Sequence, residues 1–245
     1  MNNEYGTNVN LYDAADTHTV TEEGLAAYFV RVMTYMLAGI GVTAIVAIAC
    51  VLNPLIMRVV FNSNAMFIGL VIAQFAAVIA LSAFAHKLPK VAAQVLYFLY
   101  AVLTGVTFSM IGIVFSVSSI VLAFVAASAI FGAMAIYGAT TKRDLSRLGT
   151  IAMFGLIGVL VCGLINVFLG NTMFEALISC AAIAIFMAFT AYDIQKIRGI
   201  YIHAVTTAGE GSAYVEKTAI IGALSLYLDF INLFIRILSL FGKAK

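Results

Sequence analysis

The chain has 245 residues, 64% of them hydrophobic and only 10% charged, with two prolines, no tryptophan and a mean hydropathy of +1.10. An ordinary soluble domain is about 45–50% apolar and about 25% charged, so this composition excludes a soluble enzyme, a disordered protein and a nucleic-acid binder. A polytopic membrane protein remains, and a net charge of +2 is too small to point to a polyanionic partner.

In chain order, residues 1–23 are polar and acidic and lack the apolar centre of a signal peptide. They read as a disordered tail ahead of a single membrane domain, residues 24–245. Apolar runs follow at Tyr28–Leu52, Ala65–Phe84, Val91–Phe115, Ile120–Tyr137, Leu148–Leu169, Phe174–Tyr192 and Thr218–Phe241. Each exceeds the roughly 10 residues of a barrel strand, and none alternates polar with apolar positions. Only helices and closed barrels satisfy the backbone in lipid, so the predicted fold is an all-α membrane protein with seven transmembrane helices. The connectors carry stop signals: Asn53-Pro54, His86 to Lys90, Thr141 to Asp144, Gly170-Asn171, and a longer loop from His203 to Ala213. Small residues one turn apart, Ser128/Gly132 and Ala184/Ala188, are candidates for close helix contact.

Cys50, Cys162 and Cys180 all lie in apolar runs and read as small hydrophobes, without metal-ligand spacing. His18, His86 and His203 fall in polar stretches, so no histidine-based site is expected in the bilayer. Seven spans place Arg31, Lys87, Lys90, Lys142, Arg143, Arg147, Lys196, Arg198 and Lys217 on one side, and Arg58, Lys243 and Lys245 on the other. That bias puts the amino terminus in the cytoplasm and the carboxyl terminus outside, unless the charged last segment is a re-entrant hairpin.

Two acids stand where lipid penalises them. Asp193 lies at the end of the sixth run and Asp229 near the middle of the seventh; an aspartate at mid-span costs about 2.5–3.5 kcal/mol to insert. Such residues face the bundle interior or a water-filled cavity. At 100° per residue, Gly222, Ser225, Asp229, Asn232, Arg236 and Ser239 share about 100° of arc, and leucines, Ile231 and Phe234 cover the rest. A helix with one polar face for four turns belongs at the centre of the bundle. Thr190 and Asp193, one turn apart on the sixth helix, are placed to meet it.

Two nearby carboxyls in low dielectric cannot both ionise cheaply, so they share a proton and titrate as a unit. The proton joins the helices; its loss leaves like charges facing each other. The same oxygens, with Asn232 and backbone carbonyls, suit Ca²⁺ as hard ligands. Arg236 lies two turns past Asp229, roughly 10.5 Å along the axis, and reads as an arginine snorkelling to the interface. Glu175 is either interfacial or part of a cation mouth.

Enzyme readings fail on specific residues. An aspartyl intramembrane protease resembles this chain at Tyr192-Asp193, but Asp229 follows Leu226-Tyr227-Leu228 instead of Gly-x-Gly, and the only prolines are Pro54 and Pro89. A serine intramembrane protease needs a bilayer histidine, and a retinal protein needs a lysine in the seventh span; neither is present. No enzyme activity and no cofactor are expected.

The run Ala223-Leu224-Ser225-Leu226-Tyr227-Leu228-Asp229-Phe230-Ile231-Asn232-Leu233-Phe234 is long and specific, and it resembles the signature of the Bax inhibitor-1 family, bacterial branch. Ala191-Tyr192-Asp193-Ile194-Gln195 and Thr141-Lys142-Arg143-Asp144-Leu145-Ser146 also match. The resemblance implies seven helices with the last central and wrapped by the other six. It implies a pH-sensitive calcium leak channel of the inner membrane, with Asp193 and Asp229 as the proton-sensing latch and Ca²⁺ as the permeant ion. Lys87, or His86, stands where the family carries a basic modulator of the latch. Eukaryotic relatives suppress cell death, and some bacterial relatives bind and restrain a membrane-anchored AAA protease, which is the alternative expectation.

Overall fold

The computed structural model describes residues 20–53, 55, 57–58, 64–84 and 88–243. Within them lie seven helices: α1 (Glu22–Leu52), α2 (Asn64–Phe84), α3 (Lys90–Val114), α4 (Val117–Thr140), α5 (Ser146–Leu169), α6 (Thr172–Ala208) and α7 (Ala213–Phe241). Nearly all of the tail expected at residues 1–23 lies outside the described residues, but its last two positions, Glu22 and Glu23, already belong to α1. The chain is an all-α membrane protein. Six of the helices are long and apolar enough to cross a bilayer, and the apolar stretch of α2 runs over Ile68–Leu81.

Helix starts fall ahead of the apolar runs because polar caps, not hydrophobicity, decide them. Thr21 Oγ1 accepts from Gly24 N at 3.0 Å, with Glu22 and Glu23 in the first turn opposite the helix dipole. Ser116, Asn171 and Ser212 cap α4, α6 and α7 in the same way. The α5–α6 turn is made by Gly170 at φ 61°, the left-handed conformation that favours glycine.

The largest departure from the sequence reading is α6. Its apolar run ends at Tyr192, yet the helix continues to Ala208, 37 residues or roughly 56 Å against a hydrocarbon thickness of about 30 Å. The expected loop from His203 to Ala213 shrinks to four residues between Ala208 and Ala213. The reason is an amphipathic stripe: Ile194, Ile197, Tyr201, Ala204 and Val205 are buried, while Lys196, Arg198 and His203 are exposed. Asp193, which the apolar run places at a helix end, therefore lies fifteen residues inside one.

α7 is a single continuous helix and not a hairpin. It is the centre of the bundle, with 72% of its apolar stretch buried against 17–33% for the other five spans. α6 supplies its most extensive interface, and α4, α1 and α3 complete the wall. Four helices therefore form the wall where the resemblance implied six, since α2 packs on α3 and α5 on α6. No coupling of small residues occurs at the expected pairs: Ser128 and Ala184 are exposed, and space surrounds Gly132. Close approach occurs instead where Gly138 of α4 meets the Ala191 backbone and Gly149 of α5 meets the Tyr192 ring, on either side of the Asp193 turn.

Two stability outcomes follow. A Cβ at Gly138 runs into the Ala191 carbonyl, so Gly138→Ala should lose about 1–3 kcal/mol through overpacking. Gly163→Ala, in open space, should instead hold or gain up to about 1 kcal/mol; unfolding in detergent micelles compares them. Ala204→Glu buries a charge in the α6 extension and should destabilise by several kcal/mol, whereas His203→Glu on the exposed face stays within about 0.5 kcal/mol. Equal tolerance at the two positions would mean that the segment is a loop.

Candidate functional site

α6 and α7 bring the two aspartates together. Asp193 is 9% exposed and Asp229 5%. They lie on two helices that pack against each other, with Lys196 one turn past Asp193. Asp229 Oδ2 is buried with no hydrogen-bond partner. A buried carboxylate oxygen without a donor is costly, and a proton or a cation bound there would relieve that cost. Lys196 itself stands 5.8 Å from the centre of the Tyr192 ring.

The rest of the polar face of α7 is ordered but not all of it joins this pair. Asn232 donates through Nδ2 to the Leu228 carbonyl at 2.7 Å, which leaves its side-chain oxygen as an acceptor. Ser225 is half-buried, and Ser239 is exposed. Arg236 does not snorkel alone: Nη1 contacts Glu175 Oε1 at 3.3 Å, and Glu175 Oε2 accepts from buried Asn166 at 3.0 Å. A polar cluster from α5, α6 and α7 thus closes one end of the stripe. Thr190 is buried, and its hydroxyl donates to the Phe186 carbonyl of its own helix. Lys87 and His86 lie outside the described residues.

At the other end, sequence reasoning overlooked Gln195. Its Nε2 donates to the Arg143 carbonyl at 2.9 Å, and its Oε1 accepts from Leu145 N at 2.8 Å. One side chain two residues past Asp193 thereby clamps the α4–α5 connector onto α6. Within that connector Asp144 accepts from the Ser146 amide and hydroxyl, which holds its carboxyl below the usual range. Beside the clamp, a cavity of about 170 Å³ is lined by Glu22, Gly138, Ile194, Gln195 and Arg198. It has room for several waters at about 30 Å³ each, next to the turn that carries Asp193.

Further along, Tyr28 donates to Thr218 at 3.1 Å and Tyr201 donates to Glu210 at 2.8 Å, while the Tyr28 and Tyr201 rings lie 4.7 Å apart. These contacts fasten α1 and the α6 extension over the start of α7. On the opposite side of α7, Thr43 gives its proton to the Ala101 carbonyl, so Tyr227, 2.6 Å away, donates to Thr43. The signal for Tyr28, Thr43, Thr218 and Tyr227 was a hydroxyl within an apolar run, whereas Tyr201 lies beyond the sixth run and gave none.

Among the described residues no group of three or more His, Cys, Asp or Glu side chains is placed to hold a metal ion. A cation at the aspartates would have two carboxylates and complete its usual 6–8 oxygens with water or carbonyls.

Comparison with known proteins agrees with the signature residues. The family described as "Inhibitor of apoptosis-promoting Bax1" matches residues 25–245. Inner membrane protein YbhL of Escherichia coli is 37% identical over 237 residues, covering 97% of this chain and all of that protein. Uncharacterised proteins of Deinococcus radiodurans and Borreliella burgdorferi are 34% and 32% identical, covering 96% and 89% of this chain and 98% and 92% of their own lengths. A match over the whole membrane domain, including the two helices that carry the signature residues, places the chain in the Bax inhibitor-1 family.

Proposed function

We propose that the protein is a pH-sensitive calcium leak channel of the bacterial inner membrane, gated by the Asp193–Asp229 pair. The observation that carries this reading is the burial of two carboxyls on adjoining helices, one of whose oxygens has no partner. The inner-membrane location follows the description of the Escherichia coli relative.

With a proton on the pair, only one negative charge is buried and α6 packs on α7 undisturbed. When the proton leaves, two like charges face each other in low dielectric and the helices are driven apart. The Lys196 charge reduces this repulsion without removing it, since that ammonium also faces solvent and the Tyr192 ring. A Ca²⁺ ion entering the gap satisfies both carboxylates and the free Asp229 oxygen, with the Asn232 carbonyl as a supporting ligand. Ser225 and Arg236 continue the polar face on either side of that point, and the Glu175 carboxylate neutralises Arg236 toward its end of the stripe. Lys87 keeps the role of basic modulator that the resemblance assigns it.

The sign of the pH effect follows from the proton. Leak is low where the pair holds a proton and rises as pH increases through its titration. Purified protein in liposomes loaded with a calcium indicator tests this. Asp229→Asn should lower the leak roughly tenfold, about 1.4 kcal/mol in barrier, and Asp193→Asn should flatten the pH profile. Unchanged flux and an unchanged profile in both variants would overturn the channel reading; co-purification with an AAA protease would then favour the regulator.

A further inference from the structure

Away from the aspartates, the amino-terminal half of α1, the start of α7 and α3 enclose a lateral groove of about 580 Å³, within the 300–1,000 Å³ range of ligand pockets. Its walls include Val30, Thr34, Ala38 and Phe98, and its head is formed by Arg31 and Glu216. Val30 is 66% exposed on this face, so the groove opens sideways to the acyl chains of the bilayer. The Thr34 hydroxyl is spent on the Val30 carbonyl at 2.7 Å, which leaves the wall apolar.

The head has an imbalance of charge. Glu216 is paired at once with Arg31, at 3.5 Å, and with Lys90. One carboxylate facing two cations leaves a net positive charge, and a guanidinium has five donors of which Glu216 engages one. Tyr35 lines the same groove, and its hydroxyl accepts from Gln94 Nε2, so its own proton remains to be donated. An apolar trough open to lipid, topped by surplus positive charge and an uncommitted hydroxyl proton, fits one ligand class.

We propose that this groove binds an anionic phospholipid of the surrounding bilayer, its phosphate held by Arg31 and Lys90 and one acyl chain laid along Val30, Thr34, Ala38 and Phe98. Cationic pockets between transmembrane helices recognise lipid headgroups by the same chemistry. The site is independent of the aspartate pair, and its test reads lipid binding and not flux.

Purified protein in detergent micelles is given phosphatidylglycerol or phosphatidylcholine, and retained lipid is counted by native mass spectrometry alongside the melting temperature. Wild type should retain phosphatidylglycerol in preference and melt higher with it. The double variant Arg31→Gln with Lys90→Gln should cut that retention at least tenfold. Ala38→Phe, which fills the exposed trough and keeps both charges, should cut it too, while Glu216→Gln should strengthen it. Equal retention of the two lipids, or full retention in Ala38→Phe, would overturn the proposal. So would protection by soluble glycerol phosphate equal to that by the lipid, since a headgroup alone would then suffice.

Discussion

The structure depends on how α6 packs against α7 while each carries an acid. An unpaired carboxylate in hydrocarbon is among the least tolerated groups in a membrane protein. Here neither acid faces lipid. α7 is walled by four helices, and α6 continues fifteen residues beyond Asp193, so both carboxyls sit inside protein. The interface also carries apolar contact: Ile197 of α6 is buried beside Gly222 of α7. Between helices in lipid such contacts act through close packing and not through removal of apolar surface from water. An interface so divided, apolar along most of its length and charged at one level, is suited to a small displacement without loss of the fold.

Supports on both sides set the position of that level. Gly138 and Gly149 let α4 and α5 approach the backbone and ring of Ala191-Tyr192, and Gln195 clamps the α4–α5 connector two residues further on. Asp193 is therefore held by a rigid turn, while the amphipathic end of α6, Tyr28 and Tyr201 secure the start of α7. At the far end, Glu175 and Asn166 hold Arg236. The central helix is pinned at its two ends and loaded with an unsatisfied carboxylate between them.

Much of this was legible in the sequence. Hydropathy located the seven helices of the described residues, and the helical wheel of the last one placed it at the centre and put Asp229 on its polar face. The twelve-residue signature and the two shorter matches identified the family. Three things were hidden. The α6 extension is amphipathic, so a search for apolar runs stops at Tyr192 even though the helix does not. Glycine contacts depend on which residue stands opposite, which no spacing along one chain reveals; Ser128/Gly132 have the right period and face outward. Partners such as Glu175 for Arg236 and Arg143 for Gln195 are 61 and 52 residues apart, and only the tertiary fold brings them together.

The central claim is that the two acids act as one unit, and a double-mutant cycle measures that directly. Unfolding of wild type, Asp193→Asn, Asp229→Asn and the double variant in micelles at neutral pH yields the coupling energy. Groups that share a charge environment should depart from additivity by about 1 kcal/mol or more, with the second substitution adding little once the first has removed the repulsion. Effects that add to within about 0.3–0.5 kcal/mol would show two independent acids and contradict the latch.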